Sequence, residues 1–189
     1  MNNFLIGFGI LPVAVFLALG GRGKERRALW GALALGAAEA GYSIAATGGI
    51  DYLTLSAFAV MGGFILLSLR SGDDFFFKIH GAVANLATAA AMLFAWTVLH
   101  KAMLLDAAEK YVGLDKLAAL NPEIPKEELA EFFRVLSLHL PVWLILHSLL
   151  TIHAARRWSR WAWALVYVPG LFAALILAAA FAQVASRGR

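Results

Sequence analysis

The residue best placed to do chemistry is a single carboxylate in an apolar stretch. Glu39 lies in the sequence Gly-Ala-Ala-Glu-Ala-Gly-Tyr-Ser, and Tyr42 and Ser43 follow it on the same face of a helix. A carboxylate held in lipid costs several kcal/mol unless it is paired or protonated. Two interpretations stay open: a proton or cation site, or a protonated carboxyl that hydrogen-bonds across a helix interface. Small residues at Ala32, Gly36 and Ala40 would permit that close approach.

Three further polar side chains interrupt other apolar stretches. Asn85 and Thr88 are one helical turn apart, and His147 lies in a later stretch. With a rise of about 1.5 Å per residue, Glu39, Thr88 and His147 fall within roughly 5 Å of one another in depth. The sequence therefore predicts a Glu39–His147 or Glu39–Thr88 contact, and with Asn85 a polar path through the membrane.

Four histidines form two pairs at the ends of apolar stretches. His80 and His153 lie at the predicted inner ends, and His100 and His139 lie at the outer ends. Membrane cytochromes of the b type hold two haems with pairs of this kind. The spacing within each helix, about 30 Å and about 21 Å, argues against this interpretation. Histidines at headgroup level are the alternative, and the chain is expected to have no cofactor and no metal site.

Composition sets the class of protein. The chain is 61% hydrophobic and 15% charged, and it contains no cysteine. Its charges cluster between long uncharged runs, each near the roughly 20 residues that a helix needs to cross a bilayer. The net charge of +4 comes from basic residues at the ends of these runs, so we expect lipid headgroups and not nucleic acid as their partners.

The sequence predicts an all-α polytopic membrane protein with a single membrane domain of about six spans. The predicted spans are residues 4–19, 28–47, 51–69, 79–99, 134–155 and 161–184. Residues 101–133 are predicted to form a broken amphipathic segment at the interface, with a new helix start at Lys126 after Pro125. Three short basic loops predict that both termini lie outside the membrane.

A family resemblance rests on the third and fourth predicted spans. The segments Phe64–Leu69, Gly72–Ile79 and Ala82–Leu86 resemble the intracellular septation protein A family, in which a span ends in an Asp-containing turn before Phe-Ile-Lys. The chain departs from the family pattern at Ile79-His80-Gly81, where an aromatic, a second Lys and a Pro are usual.

The resemblance implies a bacterial inner-membrane protein of cell-envelope maintenance and septation. Such a protein acts through other integral membrane proteins and is not an enzyme. By match to its motif, the resemblance points to Asp74, Phe77, Lys78 and Asn85, and the turn that also contains Asp73 is the predicted interaction hairpin (Asp73, Asp74, Phe77 and Lys78). A small transporter or channel built around Glu39 is the alternative, and a haem b electron carrier is the third. Homo-oligomers through the small-residue stripe are compatible with all three.

Overall fold

The fold is taken from a computed structural model that describes residues 7–21, 23–47, 52–120 and 122–187. Within these ranges, the side chains at positions 7–9, 43, 44, 46, 47, 52–55, 57 and 187 lie outside the description. The described residues form helices and their connections, without a strand among them. The all-helical class is thereby confirmed.

The helices follow one another through short connections. They are α1 (Gly7–Leu19), α2 (Glu25–Thr47), α3 (Tyr52–Ser71), α4 (Phe75–Thr97), α5 (Met103–Ala107), α6 (Leu114–Leu120), α7 (Lys126–Arg157), α8 (Arg160–Tyr167) and α9 (Pro169–Arg187). A π-helical turn, Ala108–Val112, continues α5.

Three helical stretches among the described residues are long and apolar enough to cross a membrane. They are Phe75–Thr97, Lys126–Arg157 and Arg160–Ser186, the last of which joins α8 and α9. Two shorter apolar helices are Ile10–Leu19 and Phe58–Ser71. The described residues thus form an all-helical protein with three candidate membrane-spanning helices, and the count of six spans stays a prediction.

The helix start at Lys126 is confirmed, but its consequence differs from the prediction. The sequence pattern separates an interfacial segment, residues 101–133, from a span that begins at residue 134. In the structure α7 is one helix of 32 residues that includes Pro141. Glu127 and Glu128 in its first turn favour the N-terminus of a helix, and no breaker follows them before the apolar run. Therefore the last turns of the predicted interfacial segment belong to α7.

The chain forms two compact units. Unit 1 comprises residues 1–82 and 151–168, and unit 2 comprises residues 83–150 and 169–189. The core of unit 1 packs α1, α2, α3 and α8 with the start of α4 and the end of α7, and Phe16, Ile65, Phe77 and Trp163 are fully buried in it. In this unit α2 and α3 approach closely at Gly36, where an added Cβ would meet the flexible end of the Met61 side chain.

Unit 2 contains most of α4, the α5–α6 segment, the first part of α7 and α9. Trp143 of α7 packs on Phe181 of α9, with ring centroids 5.5 Å apart. The α5 segment is fixed to α7, since the Leu104 N–H donates to Ser137 Oγ at 3.0 Å. Ser137 in turn donates to the Phe133 carbonyl at 2.8 Å.

Candidate functional site

The turn between α3 and α4 is closed by side-chain hydrogen bonds. Gly72 has a φ of +73°, a conformation that glycine adopts without strain. Asp73 Oδ1 accepts from the Phe75 N–H at 2.9 Å, which satisfies a free donor at the start of α4. Ser68 Oγ accepts from the buried Phe77 N–H at 2.8 Å. The turn therefore delivers the residues that follow it into the interior of unit 1.

An ion pair is buried one turn into α4. Lys78 Nζ lies 2.8 Å from Asp74 Oδ1, and the two side chains are only 9% and 11% exposed. The spacing of four residues places both groups on one face of the helix. Charges taken out of water are tolerated only when each is paired and hydrogen-bonded, so each residue depends on the other.

Arg160 connects this pair to α2. Its Nε lies 3.3 Å from Asp74 Oδ2, and its Nη2 donates to Glu25 Oε1 at 2.6 Å. The guanidinium also lies over the Phe16 ring, 5.2 Å from its centroid. Together Glu25, Arg160, Asp74 and Lys78 form a network of two anions and two cations, named here the ion-pair network. It joins the starts of α2, α4 and α8.

An aromatic group packs directly beside the ion-pair network. The fully buried Trp163 donates its indole N–H to the Lys78 carbonyl at 3.1 Å. Its ring stacks on that of Tyr167, with centroids 5.3 Å apart. The Tyr167 hydroxyl lies 3.1 Å from His80 Nε2, and His80 Nδ1 is within hydrogen-bonding distance of the Phe77 carbonyl. Both ring nitrogens of His80 therefore have partners inside unit 1.

The structure separates the four residues of the predicted interaction hairpin. Asp74, Phe77 and Lys78 are buried together, whereas Asp73 is exposed. A direct contact with a partner protein requires exposed side chains, so Asp73 is the member of the set that can make one. The other three hold unit 1 together in this arrangement.

The predicted intramembrane polar residues are divided between the two units. Glu39 of unit 1 is 8% exposed, and its Oε2 has no hydrogen-bond partner among the described residues. Tyr42 is exposed, and the side chain of Ser43 lies outside the described residues. The predicted Glu39–His147 and Glu39–Thr88 contacts remain predictions.

In unit 2 two of the predicted polar residues meet. Asn85 Nδ2 lies 3.4 Å from Nδ1 of the buried His147, which joins α4 to α7. Thr88 is exposed and donates its hydroxyl to the Ala84 carbonyl of its own helix at 3.0 Å. The structure thus brings Asn85 and His147 together, whereas the Thr88 hydroxyl is bonded to its own helix α4.

The four histidines of the predicted haem pairs have different environments. His80 is buried with both nitrogens engaged, and His153 is exposed with its ring edge-on to Trp158. His100 is exposed with a φ of +53°, and His139 is half-buried on α7. An axial haem ligand needs a free ring nitrogen, so His80 could serve only after losing one of its two partners.

Two residues of the ion-pair network and two of the aromatic group beside it escaped the sequence analysis. Glu25 and Arg160 belong to basic, polar loops that look solvated, and Tyr167 and Trp163 look like ordinary interfacial aromatics. One signal was available: Ser159 precedes α8 as its N-cap and accepts from the Ala162 N–H at 3.3 Å, which places Arg160 at the first position of a helix.

Within the described ranges, no group of three or more His, Cys, Asp or Glu side chains is placed to hold a metal ion. The chain matches no known protein-family model, no curated protein and no solved structure.

Proposed function

We propose that this protein acts in the inner membrane by binding other integral membrane proteins, in cell-envelope maintenance and septation, and not as an enzyme. The observation that carries the proposal is the ion-pair network. Each of its four charges is paired with another member of the network. These charges serve to lock three helix starts together, which is what a rigid platform for partner proteins requires.

Exposed basic residues also lie at this end of unit 1. A set of basic residues around the network is exposed, namely Lys24, Arg26, Arg27, Arg70, Arg156 and Arg157. Basic residues at span ends mark the cytoplasmic face, so this end of unit 1 faces the cytoplasm in our proposal, with both termini outside. Partner contacts then fall to this exposed basic set and to Asp73.

Complementation of a deletion strain tests the proposal. Deletion is expected to lengthen the cells and to raise their sensitivity to detergent, and the intact gene is expected to restore both. A triple variant of exposed arginines, Arg26→Gln, Arg27→Gln and Arg70→Gln, is expected to reach normal membrane levels and yet fail to restore them. Glu39→Gln is expected to complement fully. A deletion strain with normal cell length and detergent resistance would contradict the proposal.

A second candidate function, a proton or cation transporter, is favoured by one observation. Glu39 Oε2 is buried without a hydrogen-bond partner among the described residues. Such an atom destabilises the fold, and ionisable residues within membranes commonly belong to proton or ion pathways. Proteoliposomes with a trapped pH dye test this candidate. It requires a flux that Glu39→Gln abolishes and that Glu123→Gln, a change to an exposed carboxylate, leaves intact. Equal flux in all three proteins excludes the candidate.

A further inference from the structure

A cavity of about 610 Å³, open to the surface on one side, lies in unit 2 at the end of α4 and beside α7. Its lining includes Trp96, His100, Lys101, Leu105, Asp106 and Arg134. Its volume is in the range of small-molecule sites, about 300–1,000 Å³. The lining joins an aromatic ring and an aliphatic side chain to charges of both signs, which is the composition of a binding site for an amphiphile.

Backbone hydrogen bonds fix the walls of this cavity. The Lys101 N–H donates to the Ala95 carbonyl at 2.9 Å, and His100 between them has a φ of +53°. A non-glycine residue is uncommon in that conformation, which closes the end of α4. Next to the lining residues Leu105 and Arg134, the Leu104 N–H donates to Ser137 Oγ at 3.0 Å. Hydrogen bonds therefore hold the backbone that carries the charged lining residues.

The charges around the cavity are kept apart. The ion pairs of the described residues leave Lys101 and Asp106 unjoined, although both line the same space. Arg134 contacts Glu131 through Nη1 at 3.2 Å, and no ion pair among the described residues engages its other N–H groups. Lys101 and Arg134 are suited to a phosphate. Asp106 and the face of Trp96 are suited to an ammonium group.

The position of the cavity at the end of a candidate span indicates a lipid as the source of the phosphate and the ammonium group. Trp96 lies in the last turn of the candidate span Phe75–Thr97, the level at which tryptophan meets headgroups. Val98, Leu99 and Met103 next to it are exposed apolar side chains. We propose that this cavity binds the headgroup of a membrane phospholipid that carries both a phosphate and a primary amine, as phosphatidylethanolamine does.

Native mass spectrometry of the full chain in detergent tests the proposal with three lipids of identical acyl chains. Phosphatidylethanolamine is expected to bind about tenfold more tightly than phosphatidylglycerol, which lacks the amine, since one charge-assisted hydrogen bond gives about that factor. Phosphatidylcholine, whose amine has no N–H, is expected to bind more weakly than phosphatidylethanolamine. Equal affinities for the three lipids would overturn the proposal.

Single substitutions test which side chain binds the amine of the headgroup and which binds its phosphate. Asp106→Asn is expected to remove the preference for phosphatidylethanolamine, whereas Glu109→Gln, an exposed acid outside the lining, keeps it. Lys101→Gln is expected to weaken the binding of all three lipids, whereas Lys116→Gln does not. A full preference retained in Asp106→Asn would refute the assignment.

Soluble phosphoethanolamine tests whether the ligand is the membrane lipid or the free headgroup molecule. It is expected not to displace the lipid at equal concentration, because it lacks the acyl chains that meet the apolar rim. Displacement at equal concentration would make the free molecule, and not the lipid, the ligand.

Discussion

Arg160 Nη2 lies 2.6 Å from Glu25 Oε1, although 135 residues separate them in the chain. The other side of the same guanidinium faces Asp74 at 3.3 Å. One planar cation therefore connects α2 with the start of α4, and a fork of N–H donors suits this task better than a single ammonium. The bridge makes unit 1 dependent on residues from both ends of the chain.

The two adjacent aspartates of the α3–α4 turn allow a matched test. Asp74→Asn leaves the buried Lys78 and Arg160 without their shared carboxylate, so we expect a loss of about 3 kcal/mol in the free energy of unfolding. Asp73→Asn keeps an acceptor for the Phe75 N–H and stays exposed, so we expect a change within about 0.5 kcal/mol. Thermal unfolding in detergent measures both. Equal effects would show that the ion-pair network does not stabilise unit 1.

Trp163 and Trp161 differ in burial, so substitutions at these two positions provide a second matched test of stability. Trp163→Phe removes the indole donor to the Lys78 carbonyl and leaves space in a fully buried site. We expect a loss of about 1–3 kcal/mol. Trp161 is 66% exposed, so Trp161→Phe should unfold at nearly the original temperature. The result would contradict the packing if Trp161→Phe were the more destabilising change.

Glycine substitutions test the contact between α4 and α8. A Cβ at Gly81 would overlap the ring of Tyr167, so Gly81→Ala should displace the Tyr167 hydroxyl from His80 and cost about 1–3 kcal/mol. A Cβ at Gly63 of α3 meets no atom within 4 Å among the described residues. Gly63→Ala should therefore stabilise the protein by about 0.5–1 kcal/mol through helix propensity. Chemical denaturation in mixed micelles compares them, and a stabilising Gly81→Ala would refute the contact.

Two serines of α7 test how the α5 segment is held. Ser137→Ala releases the Leu104 N–H, so trypsin should cleave the segment at Lys101 or Lys110 about fivefold faster, for about 1 kcal/mol of lost local stability. Ser148 donates to the Leu144 carbonyl of its own helix, and Ser148→Ala should leave the cleavage rate unchanged. Unaltered cleavage in Ser137→Ala would show that other contacts hold the segment.

The sequence by itself determined the class of the protein and the start of α7. The length of the apolar runs indicates spans because apolar side chains avoid water. Pro125 favours a helix start through local backbone geometry, which depends only on neighbouring residues. The family motif points to Asp74, but residue chemistry could not show which of Asp73 and Asp74 is buried, because the two have the same side chain and the same local context. Only the tertiary structure placed one in water and the other between Lys78 and Arg160, since the pairing of buried charges depends on helices that are distant in the chain. For the same reason the tertiary structure, and not the pattern of charges, decided that Glu25 and Arg160 belong together.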